Sequence, residues 1–228
     1  MKLNVIVLAA GKGTRMKSAR PKVLHRLAGK PLLQHVLDTA RKLECANLQV
    51  VTGFGSESVE QEFAGANTRF VLQKEQLGTA HAVQQTLDGL EDEAVALVLY
   101  GDVPLIKADT LRALLEEVDA DSMGVLTCVV DNPTGLGRII RNESGQIIRI
   151  IEERDATVSE KTVDEINTGF MAIPVNLLKN WLPRIQADNA QKEYYLTDLV
   201  ELAIADGIAV VTSQCQDQAE ITGINDRV

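Results

Sequence analysis

Two stretches of the chain are apolar without interruption: Val5-Ile6-Val7-Leu8-Ala9-Ala10 and Ala94-Val95-Ala96-Leu97-Val98-Leu99-Tyr100. A strand with one wet face alternates apolar and polar side chains, so unbroken runs predict strands covered on both faces, as in a parallel sheet between helices. Parallel neighbours need crossover connections, and the intervening sequence supplies them. Leu32, Leu33, Val36, Leu37, Ala40 and Leu43 fall at helical spacing, and residues 48–52 predict a short strand before Gly53. Ser58 with Gln61 predicts a capping box for a helix that ends near Gly65. Ala80, Val83, Leu87 and Leu90 mark a further helix, and Leu111, Leu114, Leu115 and Val118 another, with Asp109-Thr110 as its cap. Strand and helix thus alternate through the first half, the pattern of βαβ crossovers.

The second half changes character. Residues 125–130, 139–140, 147–151 and 170–173 read as strands separated by turns at Gly135-Leu136-Gly137 and Asn142-Glu143-Ser144-Gly145, hence as antiparallel additions to the sheet. Residues 155–164 are polar and charged, which predicts a mobile surface loop. Helices over 175–182 and 197–205 and a strand over 208–212 follow, with Trp181, Leu178 and Leu182 as helix packing. No repeat, low-complexity tract or linker interrupts residues 1–228, so a single α/β domain is expected.

Charge excludes one large class of partner. With 23 Lys and Arg against 32 Asp and Glu, the net charge is −9 and the isoelectric point near 4.9, unlike a protein that grips nucleic-acid backbones with spread-out cations. Eight aromatics offer few base-stacking platforms. The three cysteines, Cys45, Cys128 and Cys215, are widely spaced and odd in number, so they read as small core residues in a reducing compartment. The opening apolar run is too short to span a bilayer, and it enters Gly11-Lys12-Gly13 without a signal-peptide cleavage pattern. A soluble cytoplasmic protein, with no membrane partner, is the expectation.

In open α/β sheets, ligands gather beyond the carboxyl ends of the strands. The first apolar run ends in Gly11-Lys12-Gly13-Thr14-Arg15 and the second in Gly101-Asp102. Lys12, Arg15, Lys17, Arg20 and Lys22 form a local positive island with no acid among them, suited to focusing small anions. Gly11 and Gly13 let backbone N–H groups approach a phosphate; a solvated glycine turn with surface cations is the equal alternative for the loop alone. Two familiar phosphate loops are excluded. Met16 stands where G-x-G-x-x-G needs its third glycine, and no Gly-Lys-Ser or Gly-Lys-Thr occurs anywhere. Asp102, held before Val103-Pro104, suits Mg²⁺, which takes one or two protein oxygens plus substrate phosphates. His25, His35 and His81 are scattered and read as packing or surface residues.

Four ordered segments, Leu8-Ala9-Ala10-Gly11-Lys12-Gly13-Thr14-Arg15-Met16, Pro21-Lys22, Gln76-Leu77-Gly78-Thr79-Ala80 and Tyr100-Gly101-Asp102-Val103-Pro104, resemble the sugar-1-phosphate nucleotidyltransferases. Gly135-Leu136-Gly137-Arg138, Glu152, Glu165-Ile166-Asn167-Thr168-Gly169, Glu193-Tyr194-Tyr195-Leu196-Thr197-Asp198 and Gly223-Ile224-Asn225-Asp226-Arg227 are similar to one branch, the uridyltransferase halves of bifunctional enzymes that also acetylate glucosamine 1-phosphate. The resemblance implies a Rossmann-like three-layer fold with a mostly parallel central sheet and antiparallel additions. It implies Mg²⁺-dependent transfer of UMP from UTP to N-acetylglucosamine 1-phosphate, giving UDP-N-acetylglucosamine and pyrophosphate for cell-wall precursors.

By the same resemblance, Leu8, Ala9, Ala10 and Gly11 line the nucleotide, Gln73 and Gly78 read the uracil edge, and Thr79 lies beside it. Arg15 and Lys22 contact phosphates and, with Asp102, form the catalytic set. Tyr100, Gly101 and Asp102 bridge nucleotide and sugar, while Gly137, Glu152 and Asn167 hold the sugar. Asp102 and Asn225 ligate Mg²⁺. Glu153 adjoins Glu152 and is the other candidate for the sugar acid; Glu193 to Asp198 is either a lid over the sugar or, read on its own, a helix start with two aromatics against the core. Nothing resembles the hexapeptide β-helix of an acetyltransferase half, and a trimer of the kind that half builds needs it present. Transfer to another sugar phosphate and a non-catalytic UDP-sugar sensor are the competing readings.

Overall fold

The computed structural model describes residues 2–65 and 67–226, so Arg227 lies outside the described residues. In chain order its first half comprises β1 (Lys2–Leu8), β2 (Arg26–Leu27), β3 (Lys30–Pro31), α1 (Leu32–Arg41), β4 (Asn47–Thr52), α2 (Ser56–Glu62), β5 (Arg69–Leu72), α3 (Thr79–Gln84), β6 (Ala94–Tyr100) and α4 (Ala108–Glu116). The second half comprises β7 (Ser122–Val129), β8 (Arg138–Arg141), β9 (Ile147–Ile151), β10 (Glu165–Pro174), α5 (Val175–Trp181), α6 (Leu199–Ala205) and β11 (Ala209–Cys215).

The unbroken apolar runs are the centre of the sheet, as expected. β1 pairs in parallel with β6 on one side and β4 on the other, and the main sheet runs β11-β7-β10-β6-β1-β4-β5. β10 is the one antiparallel strand on this path, inserted between β6 and β7, and the β8–β9 hairpin joins through β10. Successive β1 side chains go to opposite faces: Val5 and Val7 join a core with α1, α2 and α4, whereas Ile6 and Leu8 join one with α3, α5 and α6. Three layers result, with the sheet in the middle.

Several local expectations are corrected. α2 begins at Ser56 after a left-handed Gly55, so Ser58 lies inside the first turn and caps nothing. The helix expected over Ala80 to Leu90 is two pieces, because Thr86 turns its hydroxyl back to the Val83 carbonyl at 2.7 Å and the chain tightens into a 3-10 turn at Leu87–Gly89. Asp109 is in the first turn of α4 and pairs with Arg112; the terminal N–H of Lys107 is taken instead by Glu220 Oε2 at 3.1 Å, which also accepts from Thr110 Oγ1 at 2.6 Å. Residues 155–164 are a surface loop as expected, with a 3-10 turn at Glu160–Thr162, where Glu160 accepts from the backbone and hydroxyl of Thr157 at 2.8 and 2.7 Å and pairs with Arg149. The edge strand β5 was not expected; its apolar run, Phe70-Val71-Leu72, is only three residues long. Trp181 is fully buried, with its indole N–H on Asp206 at 2.8 Å. Cys128 and Cys215 are buried core residues, whereas Cys45 is half-buried. Among the described residues, no helix is long and apolar enough to cross a membrane.

Candidate functional site: two clefts at the carboxyl ends of the strands

Beyond the ends of β1 and β6, a cleft of about 240 Å³ is lined by Leu8, Ala9, Ala10, Gly11, Lys22, Gln73, Gln76, Gly78, Thr79, Tyr100, Asp102 and Glu193, among others. A wider concavity of about 830 Å³ opens where β4 and β5 begin, beside Asn47 and Arg69. That is the wrong end of the strands for a ligand in this architecture, and none of the motif residues lines it.

The polar centre of the cleft is built from three distant segments. Lys22 follows Pro21 in a 3-10 turn, and its side chain is 11% exposed. Its ammonium donates to Asp102 Oδ2 in a close ion pair and to Asn225 Oδ1 at 2.8 Å. Asn225 is delivered by the backbone: Ile224 N–H bonds the Asp102 carbonyl at 2.9 Å, and Asn225 Nδ2 donates to Gly223 O at 3.2 Å, which turns Oδ1 toward the ammonium. One carboxylate oxygen and one amide oxygen therefore converge on a cation. Gly13 is needed for this closure: its φ is +57°, and a Cβ there would stand 2.6 Å from the Lys22 Cβ. Arg15, by contrast, is exposed on the loop and outside the cleft lining, as is Lys12.

At the other end, Gln73 is buried, and its amide donates to the Gly78 carbonyl at 3.1 Å. Gly78 has φ +120°, and a side chain there would run into the Tyr194 backbone, which crosses the cleft mouth. Tyr194 N–H bonds Leu77 O at 2.8 Å, Ala80 N–H bonds Tyr194 O at 2.9 Å, and Thr79 Oγ1 accepts from Leu196 N–H at 2.9 Å. The segment Glu193 to Tyr195 is thus an extended strap rather than a helix start, and Tyr194 is exposed instead of packed in the core.

A second cleft of about 270 Å³ adjoins, lined by Glu152, Asp155, Asp188, Tyr195, Thr197, Asp198 and Glu201 among others. Gly137 backs onto it, since a Cβ there would be 3.3 Å from Glu152 Oε1, and Asn167 N–H bonds Gly137 O at 2.8 Å. Glu153 points elsewhere, into a 2.6 Å pair with the buried Arg138, so Glu152 is the acid that faces the cleft. Burial pushes the Glu152 carboxyl up, and Asp155 adds to it. Asp198 is pushed up to about 6 by burial, then by the charges of Glu201, Glu152 and Asp155. Burial likewise raises Tyr195 to about 12. Tyr100, between the two clefts, is raised by burial, with Glu152 and Asp102 contributing. Asp155 Oδ2 and Tyr195 Oη are buried with no hydrogen-bond partner among the described residues.

Sequence reading gave no role to Gln76 in the first cleft or to Asp155 in the second, and for Glu193, Tyr195 and Asp198 it offered only a lid or a helix start. Glu193, Tyr195 and Asp198 sit inside a quoted motif, but their exposure to a cleft comes from a strap path no local pattern encodes. His35 bonds Leu27 O at 2.9 Å, which fits a packing residue, whereas His81 bonds Gln73.

The sequence profile of the MobA-like NTP transferase domain matches residues 5–191, which includes both walls of the first cleft. The chain belongs to that family. The bifunctional protein GlmU of Chromohalobacter salexigens is 54% identical over 227 residues, covering all of this chain and 50% of the relative. That of Pseudomonas paraeruginosa is 50% identical over 228 residues, again all of this chain and 50% of the relative. The chain thus spans about half the length of the curated relatives it matches. A solved candidate glucose-1-phosphate thymidylyltransferase from Bacillus anthracis, in complex with a sucrose, superposes with a TM-score of 0.75 at 17% identity, over 94% of this chain and 87% of that one. A nucleotidyl transferase from Methanothermobacter reaches 0.68 at 20% identity, over 99% and 92%. These two likenesses carry the fold: the Rossmann-like three-layer architecture with a mixed, mostly parallel sheet is that of the nucleotidyltransferases.

Proposed function

We propose that this transferase domain moves UMP from UTP to N-acetylglucosamine 1-phosphate, releasing pyrophosphate and UDP-N-acetylglucosamine. The observation that carries the reading is the convergence of Asp102, Asn225 and Lys22 at the carboxyl ends of the central strands, beside a cleft that ends in an amide. The high identity to relatives named bifunctional GlmU supports the uridyl and N-acetylglucosamine assignment.

The donor set fits a divalent cation. Two oxygens already stabilise a positive charge at one point, with the Lys22 ammonium as the stand-in, and a hard ion such as Mg²⁺ takes one or two protein oxygens and fills the rest with phosphate and water. When bound, it supplies Lewis-acid charge stabilisation on the reacting phosphates. Among the described residues there is no cluster of three His, Cys, Asp or Glu side chains for a metal, so substrate oxygens would complete the shell.

The chain's own residues then bind, orient and neutralise. The nucleophile is a sugar-phosphate oxygen that is already anionic at neutral pH, so no general base is required. It forms the new bond to the α-phosphorus as the bond to pyrophosphate breaks. Lys22 offsets charge on the reacting phosphates, and Arg15 on the exposed loop meets the leaving pyrophosphate. Leu8 to Gly11 and Thr79 line the nucleotide; Gln73 and Gly78 take the uracil edge. Tyr100 and Gly101 join the nucleotide to the second cleft, where Gly137, Glu152 and Asn167 hold the sugar. Glu152, Asp155, Asp198 and Glu201 line that cleft and support a ligand rich in hydroxyl donors there.

Residues 1–228 form, in this reading, a single uridyltransferase domain working in the cytoplasm on small molecules, without nucleic-acid or membrane partners. Soaking crystals with UDP-N-acetylglucosamine tests the placement. The diphosphate should lie against Lys22 and the sugar against Glu152; a diphosphate bound far from Lys22 would overturn it.

A further inference from the structure

We infer that His81 reinforces the base preference of the first cleft by helping the Gly78 carbonyl fix which atom of the Gln73 amide faces the nucleotide. This rests on the reading of that cleft as a UTP site. Gln73 is held along its whole length: its backbone N–H bonds Thr52 O at 2.8 Å, and its carbonyl accepts from Gln76 Nε2 at 3.0 Å. A terminal amide still has two ways round, and the surroundings choose between them. Nε2 lies 3.1 Å from the Gly78 carbonyl oxygen, which can only accept, so this end is the NH₂. The same Nε2 lies 3.0 Å from His81 Nδ1. That ring nitrogen must accept, which puts the imidazole proton on Nε2 of His81.

Both amide protons are therefore engaged within the protein. Only Oε1 is left for a ligand, and it is not among the sealed, partnerless atoms of the interior. A lone acceptor at that point matches the N3–H of uracil. Cytosine held in the same pose presents a bare N3 lone pair there, and the two acceptors repel. His81 is not part of the cleft lining, so it acts through Gln73 and is a positioning residue. Without its Nδ1, the amide is held by the Gly78 carbonyl alone, so turning an N–H toward a ligand costs one protein hydrogen bond instead of two, and that N–H suits cytosine.

The test compares kcat and KM for UTP and CTP, with N-acetylglucosamine 1-phosphate as acceptor, in four proteins: wild type, His81→Leu, His81→Asn and Gln73→Leu. Leucine fills the space without an acceptor, whereas asparagine keeps one near the position of Nδ1. The wild type should favour UTP. His81→Leu should lower the UTP-to-CTP ratio of kcat/KM by roughly 10- to 100-fold, the size of a lost hydrogen-bond discrimination, mainly through KM for UTP. His81→Asn should restore most of the ratio. An unchanged ratio in His81→Leu overturns the inference, as does His81→Asn behaving like His81→Leu, because shape rather than an acceptor would then matter. Gln73→Leu separates the failures: a collapsed ratio there with an intact one in His81→Leu removes only the role of His81. An intact ratio in Gln73→Leu, or a wild type with no preference, removes the base reading of the cleft and the inference with it.

Discussion

The two clefts treat their polar groups in opposite ways. In the first, the Lys22 ammonium, Asp102 and Asn225 satisfy one another, and the Gln73 amide protons are bound by the protein itself. In the second, Glu152, Asp155, Asp198 and Glu201 share one space with no Lys or Arg in its lining, and the buried Asp155 Oδ2, Tyr195 Oη and Thr197 Oγ1 lack hydrogen-bond partners among the described residues. The difference teaches where each kind of specificity comes from. A cleft whose donors and acceptors are locked can stabilise developing charge without reorganising. A cleft left in electrostatic tension gains most from a ligand that brings hydrogen-bond donors, as a sugar does.

Substitutions at the Lys22, Asp102 and Asn225 centre of the first cleft should therefore strike the chemical step, and those in the second cleft should strike affinity or stability. Asp102→Ala should give the largest effect, loss of Mg²⁺-dependent turnover by at least about 10³-fold in a folded protein; a Mg²⁺ titration with an unchanged midpoint would remove Asp102 from the cation site. Lys22→Ala should lower kcat by roughly 10²- to 10³-fold with intact circular dichroism, as expected for loss of a preorganised charge. Glu152→Gln should raise KM for the sugar phosphate by about 10-fold with a smaller change in kcat, the scale of a charged hydrogen bond to a hydroxyl. An effect on kcat alone would erase the distinction between the clefts.

The smallest expected effect is on stability. Asp198, pushed up to about 6 against an ordinary 3.8, holds its proton more tightly in the folded chain than in the unfolded one. The folded state accordingly loses relative stability as pH rises through this window and carries the full penalty above it. Asp198→Asn should raise urea stability by about 1 kcal/mol at pH 8 and by nothing near pH 3.5, the figure being discounted for a partly open group. A gain that is equal at both pH values would show that its charge is not strained.

The layer architecture was legible because both faces of β1 and β6 are buried, and that condition leaves unbroken apolar runs. β5 was not, since its apolar run, Phe70-Val71-Leu72, is only three residues at a half-open edge. The caps failed for a different reason: the acceptor at the start of α4 is Glu220, 113 positions from Lys107 along the chain. Of the site, the strand-end residues were legible, because polar groups after a buried strand have few other reasons to be there. The locking of Gln73 by His81 was not, since it joins the end of an edge strand to a short helix through one side-chain contact. Arg15 marks the converse. Its motif position is clear in the sequence, yet the loop holds it outside the cleft lining.

In the proposed reaction, a cation-bearing centre of Asp102, Asn225 and Lys22 drives nucleotidyl transfer. Pyrophosphate release from UTP, measured with and without N-acetylglucosamine 1-phosphate and with and without Mg²⁺, tests it most directly. The account predicts release only when both the sugar phosphate and Mg²⁺ are present, and none from Asp102→Ala. Equal release without the sugar phosphate, or wild-type release from Asp102→Ala, would contradict it.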